Sequence, residues 1–220
     1  MGTIETAKRI WTSAHRLMIG DQLSPWRATP NLGGTMRPEI IVLHETAGRL
    51  DANSAIAWLC NPAAKASAHL VVDRDGRMTQ LAAFNRIAWH AGVSEYRARK
   101  GVNAFSIGIE LVGPGKLTHI AAGRASAWFG EQYSQGEHRI QPAKTAEHGP
   151  GWWMPFTDAQ LDATTAICRA LVEAYGLKDI TTHWAISPRR KVDPNPLFPL
   201  QRCREAAFGK DAPPMRGARF

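Results

Sequence analysis

The chain has 220 residues, a hydrophobic fraction of 44% and a formal net charge of +8, a length that suits one domain with a substantial buried core. No apolar run approaches the roughly 20 residues that span a bilayer, so no integral membrane segment is expected. The positive charge implies attraction to a polyanion. With no zinc-finger spacing, RNP-like aromatic strand or long basic helix, it does not favour nucleic acid over an anionic envelope polymer or a merely solubilising surface.

Residues 1–20 mix Glu5, Lys8, Arg9, His15 and Arg16 with apolar residues. That breaks up the uninterrupted apolar stretch of a secretory signal, and cytoplasmic synthesis is the expectation. A weak helical pattern over 4–18, then Ser24-Pro25 and Gly33-Gly34, predicts an N-terminal arm over 1–36 packed on the domain. The β-branched run 39–44 predicts a buried strand ending at His44, and Asp51 is placed to cap a helix over 52–61. Asp75-Gly76 between apolar runs at 68–72 and 78–81 predicts a hairpin. Residues 105–112 alternate in period two, with Gly108 marking a close approach.

From 113 to 155 the pattern dissolves into Gly, Pro, His, Gln and Trp, which predicts a functional loop or mobile insertion. Thr157 and Gln160 form a capping box for an amphipathic helix ending near Tyr175-Gly176. Cys168 lies on its apolar stripe and reads as core. Cys60, Cys168 and Cys203 form no CxxC pair, which argues against a thiolate zinc site and a disulfide framework. A short strand over 180–183 follows, then a helix before 208 and a frayed tail over 209–220. Strands interleaved with helices predict a single α/β domain over 37–208, with a central mixed β-sheet flanked by helices.

The stretch from His183 through Lys191 to Asp193 gathers an imidazole, an ammonium and a carboxylate in one turn-rich segment. Catalytic zinc takes three protein ligands and keeps one position for water. His44 and His183 at strand ends, with Asp193 in a loop, can supply such a set. Each histidine alone reads more readily as structural than as a ligand. Glu110 alone reads as a solvated strand end and Lys191 as a surface cation.

Several segments in order resemble one family: Val42-Leu43-His44-Glu45-Thr46, Ser67-Ala68-His69, Trp89-His90-Ala91-Gly92, Ser106-Ile107-Gly108-Ile109-Glu110 and Arg190-Lys191-Val192-Asp193-Pro194. Together they resemble the zinc-dependent N-acetylmuramoyl-L-alanine amidases of the type-2 family, which includes phage lysozyme-like amidases and peptidoglycan recognition proteins. The resemblance implies a type-2 amidase-like fold and a Zn2+ ion on His44, His183 and Asp193. It implies Glu110 as proton carrier and Lys191 as oxyanion partner. Trp89 and His90 would border the cleft, with Asn103 and Arg190 as stem-peptide contacts; His69 would stand behind the ligands.

Two departures stand out. Glu45 follows the first ligand where His, Tyr or Asn is frequent, and is expected behind the metal rather than on it. Asn195 stands where Gly is usual. The implied substrate is bacterial peptidoglycan or a muropeptide, cut between N-acetylmuramic acid and L-alanine. The basic balance favours an endolysin released onto the wall, with anionic envelope contact. The alternatives are a cytoplasmic enzyme recycling anhydro-muropeptides and a non-catalytic muropeptide-binding module; the complete ligand set argues against the last.

Overall fold

The computed structural model describes residues 8–209 together with 212 and 213. Its centre is a five-stranded sheet in the order Asp179–Thr182, Ile40–Glu45, Ser106–Leu111, Leu70–Val72, Met78–Gln80. The first four strands run parallel and the last closes an antiparallel hairpin. This is the mixed sheet that the sequence predicts.

A parallel sheet needs cover on both faces, so its inner strands are apolar throughout. Ile41, Leu43, Ile107, Ile109, Leu111 and Ile180 pack against Ile167, Cys168 and Leu171 of the long helix Asp158–Tyr175 and Cys203 of the helix Leu200–Phe208. Cys168 and Cys203, distant in sequence, share this core as free thiols. The opposite face buries Ile40 and Val42 with Ala91, Val102, Phe105 and Ile186. Period-two alternation therefore places His44 on the second face and its neighbour Glu45 on the first.

Local signals account for the helices. The Asp51 carboxylate accepts hydrogen bonds from the Asn53 and Ser54 N–H groups and opens Ala52–Leu59. Thr157 and Gln160 form the capping box of the long helix, and Gly176, at φ 61°, ends it. Among the described residues no helix is long and apolar enough to cross a membrane.

Three expectations are corrected. The helical pattern over 4–18 is a hairpin where described, Ile10–Ser13 against Arg16–Ile19; residues 4–7 lie outside the described residues. Its turn places Ala14 and His15 at φ 47° and 63°, a conformation usually signalled by Asn-Gly or Asp-Gly, and no such signal is present. Gln80, wholly buried, accepts from the Leu17 N–H and donates to the His15 carbonyl, stitching this hairpin to the sheet.

The second correction concerns 113–155, which is an ordered β layer. Thr118–Ala121, Arg124–Ser126 and Gln132–Ser134 form one small sheet, and Gln141–Thr145 pairs with Gly149–Trp153. Leu117, Ala125, Tyr133, Ile140 and Met154 give it a core of its own. Thr118–Ala121 buries nothing and the next two strands bury one residue each, too little to write an alternating pattern. Third, the last central strand stops at Thr182, and His183 opens a short helix to Ile186. The frayed-tail expectation, apart from 212 and 213, falls outside the described residues beyond 209.

Candidate metal centre and active site

Three elements deliver the proposed ligands to one end of the sheet. His44 is the penultimate residue of Ile40–Glu45, His183 follows the adjacent strand, and Asp193 lies on the loop beyond. His44 Nδ1 and His183 Nδ1 are 2.9 Å apart, His183 Nδ1 and Asp193 Oδ2 2.9 Å, and His44 Nδ1 and Asp193 Oδ2 3.3 Å. Ligand atoms about 2.0–2.1 Å from a tetrahedral zinc stand roughly 3.3 Å from one another. The triangle approaches that spacing, and two imidazoles with one carboxylate form a catalytic-type donor set. These residues fit zinc.

Electrostatics favour the ligating forms. Burial, reinforced by His183, pushes His44 down to about 4 and keeps it neutral. Burial pushes the Asp193 carboxyl up, but hydrogen bonds with His183 and His44 outweigh it and hold the group well below the usual carboxylate range.

Behind His44 stands His90, with His44 Nε2 and His90 Nδ1 3.0 Å apart. With His44 Nδ1 given to the ligand triangle, its Nε2–H donates to His90 Nδ1. His90 Nε2–H then donates to Ser106, 3.2 Å from Oγ and 3.4 Å from the carbonyl. The Ser106 hydroxyl donates in turn to Val102 O. Such outer hydrogen bonds fix a ligand's tautomer and ring angle. His90 has room because Gly108 lies beneath it: a Cβ there would sit 2.4 Å from His90 Cγ. On the neighbouring segment, the Gly108 N–H donates to His69 Nδ1 at 3.0 Å, and His69 Nε2–H donates to Arg86 O at 2.8 Å. His69 is thus a neutral structural pin beside the centre.

The four residues expected at the substrate are placed as follows. His90 is 8% exposed and supports a ligand from behind. The Asn103 Oδ1 accepts from the backbone N–H groups of His90 and Ala91, at 3.1 and 2.8 Å, and shapes that loop. Arg190 Nη2 donates to Ala91 O, Val93 O and Ser187 Oγ, all within 2.8 Å, joining the same loop to the His183 helix. Trp89 stays at the surface, 37% exposed.

Glu110 stands in register with His44 on the adjacent parallel strand, so the two share a face. Its Oε2 is buried without a hydrogen-bond partner, a costly state that marks a group held for use. Burial and the Asp193 charge push Glu110 up to about 8, against the pull of Lys191. Lys191 is half-buried, and its charge acts on Glu110 and His44 alike. Glu45 lies outside the His44, His183 and Asp193 triangle. Its Oε1 accepts from Gly115 N–H and its Oε2 from Asn195 N–H, both at 3.0 Å.

Sequence reasoning missed His148 and Trp128, because both lie in the layer that wrote no pattern. His148 Nε2–H donates to Pro194 O at 3.0 Å, next to Asp193. The Trp128 indole, 79% exposed, donates to Ala47 O at 2.7 Å, three residues past His44. Ser106 and Gly108 sat within a motif already noted, and only their neighbours reveal what they do.

The sequence profile of the type-2 N-acetylmuramoyl-L-alanine amidases matches residues 34–196. The chain belongs to this family. It is 34% identical over 142 residues to the 1,6-anhydro-N-acetylmuramyl-L-alanine amidase AmpD of Escherichia coli, covering 64% of this chain and 57% of that protein. It is 30% identical over 182 residues to the N-acetylmuramoyl-L-alanine amidase AmiD of the same organism, covering 79% and 54%. The chain thus spans a little over half the length of these curated relatives.

Among solved structures, AmiD in complex with anhydro-N-acetylmuramic acid-L-Ala-D-gamma-Glu-L-Lys superposes with a TM-score of 0.59 at 26% identity. That match covers 90% of this chain and 65% of that one. Crystalline AmpD gives 0.55 at 25% identity, covering 83% and 93%. The type-2 amidase fold is the fold of this chain.

Proposed function

We propose that this chain hydrolyses the amide joining the lactyl group of N-acetylmuramic acid to the L-alanine of a stem peptide. The observation that carries this reading is the ligand triangle of His44, His183 and Asp193 beside Glu110, whose buried Oε2 has no hydrogen-bond partner. Bound by those three residues, zinc supplies a water acidified towards neutrality and a Lewis acid for the scissile carbonyl.

The remaining steps belong to the chain. His90 holds His44 in the tautomer that presents Nδ1. Glu110, in register with His44 on the adjacent strand, takes the proton of the attacking water at its carboxylate and returns it to the departing L-alanine nitrogen. The Lys191 ammonium stabilises the negative charge that develops on the carbonyl oxygen. Partial burial of Glu110, Lys191 and Asp193 keeps these charges less screened than at the open surface.

Among muropeptides, the reading favours soluble pieces carrying the anhydro sugar, because AmpD is named for that substrate and the AmiD structure holds one. The second reading, an endolysin acting on the intact wall, draws on the +8 charge. Rates on purified anhydro-muropeptide and on intact sacculi, with products read by mass spectrometry, test both. Freed L-alanine amino termini are expected, faster from the soluble substrate. Faster release from sacculi would favour the endolysin, and new reducing sugar ends without freed L-alanine would remove the amidase reading.

A further inference from the structure

Glu45 and Asn195, 150 residues apart in sequence, meet in space. Glu45 is 5% exposed, and its two oxygens accept from two backbone N–H groups on two different loops, Gly115 on Oε1 and Asn195 on Oε2. Gly113 makes the approach possible, since a Cβ there would lie 2.4 Å from Oε1. Asn195 is two residues beyond Asp193, and its side-chain amide donates to Met154 O of the β layer. On the other flank, the Asp193 carbonyl accepts from Trp184 N–H at 3.0 Å, next to His183.

The Asp193 loop has no regular structure of its own to aim its carboxylate. We infer that Glu45 is a positioning residue for the metal centre, a buried clamp that fixes the Asp193 loop to the strand end carrying His44. The inference rests on the zinc-site reading above. A carboxylate is required because both partners are donors. An amide in its place turns one NH2 towards a backbone N–H, and one bond becomes a clash of donors. Alternation at the strand end gives consecutive residues separate roles, with His44 in the ligand triangle while Glu45, from the other face, holds the Asp193 loop through the Asn195 N–H.

The test is zinc affinity, measured by chelator competition without substrate, for the wild-type chain and Glu45→Gln, alongside the melting temperature of each metal-free protein. Ile167→Val, a core change remote from both loops, serves as the purely destabilising control. Glu45→Gln should bind zinc about 10- to 100-fold more weakly, and Ile167→Val should melt lower with wild-type affinity. Unchanged zinc affinity in Glu45→Gln would overturn the inference while leaving the zinc site intact. A wild-type chain that binds no zinc would overturn both. Should Glu45→Gln not fold, hydrogen exchange in the metal-free wild type decides. Protection of the Asn195 and Gly115 amides is expected, and free exchange at both would overturn the clamp.

Discussion

His69 has one backbone donor on Nδ1 and one backbone acceptor on Nε2, so the neutral ring satisfies both, whereas a second proton on Nδ1 evicts the Gly108 N–H. Burial pushes its pKa down to about 4. The unfolded chain protonates this side chain below about 6.5, so between pH 6.5 and 4 it binds more protons than the folded chain. Stability from His69 is thus complete above about pH 6.5 and is lost as pH falls towards 4, by an amount on the order of 3 kcal/mol. Urea unfolding of the metal-free protein across this range checks it: His69→Gln should flatten part of the acid slope, and an unchanged slope would remove His69 as its source. Glu110 is the second residue whose burial has a use. Glu110→Gln should retain zinc and lose about 10²- to 10⁴-fold in turnover, read by metal content and initial rates; full turnover would exclude Glu110 as the proton carrier. That His44, His183 and Asp193 belong together was legible through the order of the motifs, since they lie far apart in sequence. The backbone partners of Asn103, His90 and Arg190 were not legible, because they lie on loops that only the fold brings together.

At the scale of elements, the Ser106–Leu111 strand holds the site together through one missing side chain. Gly108 leaves the space that His90 occupies, and its backbone N–H anchors His69. Gly108→Ala should cost about 1–3 kcal/mol through overpacking, measured by denaturant unfolding. In a His90→Ala background, where the ring is gone, the same change should cost much less. Equal costs in both backgrounds would show that His90 is not what meets the new methyl. The strands, the hairpin at Asp75-Gly76 and the capping box at Thr157 were readable because each carries its own periodicity or turn chemistry. The 113–155 layer was not, since its strands bury one residue or none and its core forms only after distant turns close. Yet Gly115, His148 and Met154 of that layer reach the Asp193 loop and its surroundings, so the least legible element braces a ligand.

On the proposed reading, the whole molecule would couple its fold to a zinc ion. Three elements far apart in sequence converge on one triangle, and unfolding scatters it, so zinc at a hundredfold over its dissociation constant should add about 2.7 kcal/mol of stability. In a chain of this length that is a rise of several degrees in melting temperature, and a thermal scan with and without chelator reads it. The α/β class and the family were legible because motif order survives where single motifs are weak. The setting was less so, since net charge suits many polyanions. The most direct test of the central claim follows hydrolysis of a purified anhydro-muropeptide by mass spectrometry before chelation, after it, and after zinc is restored. A free L-alanine amino terminus and a free lactyl carboxylate are predicted, lost with the metal and regained with it. Cleavage of that bond at an undiminished rate in the chelated protein would contradict the claim.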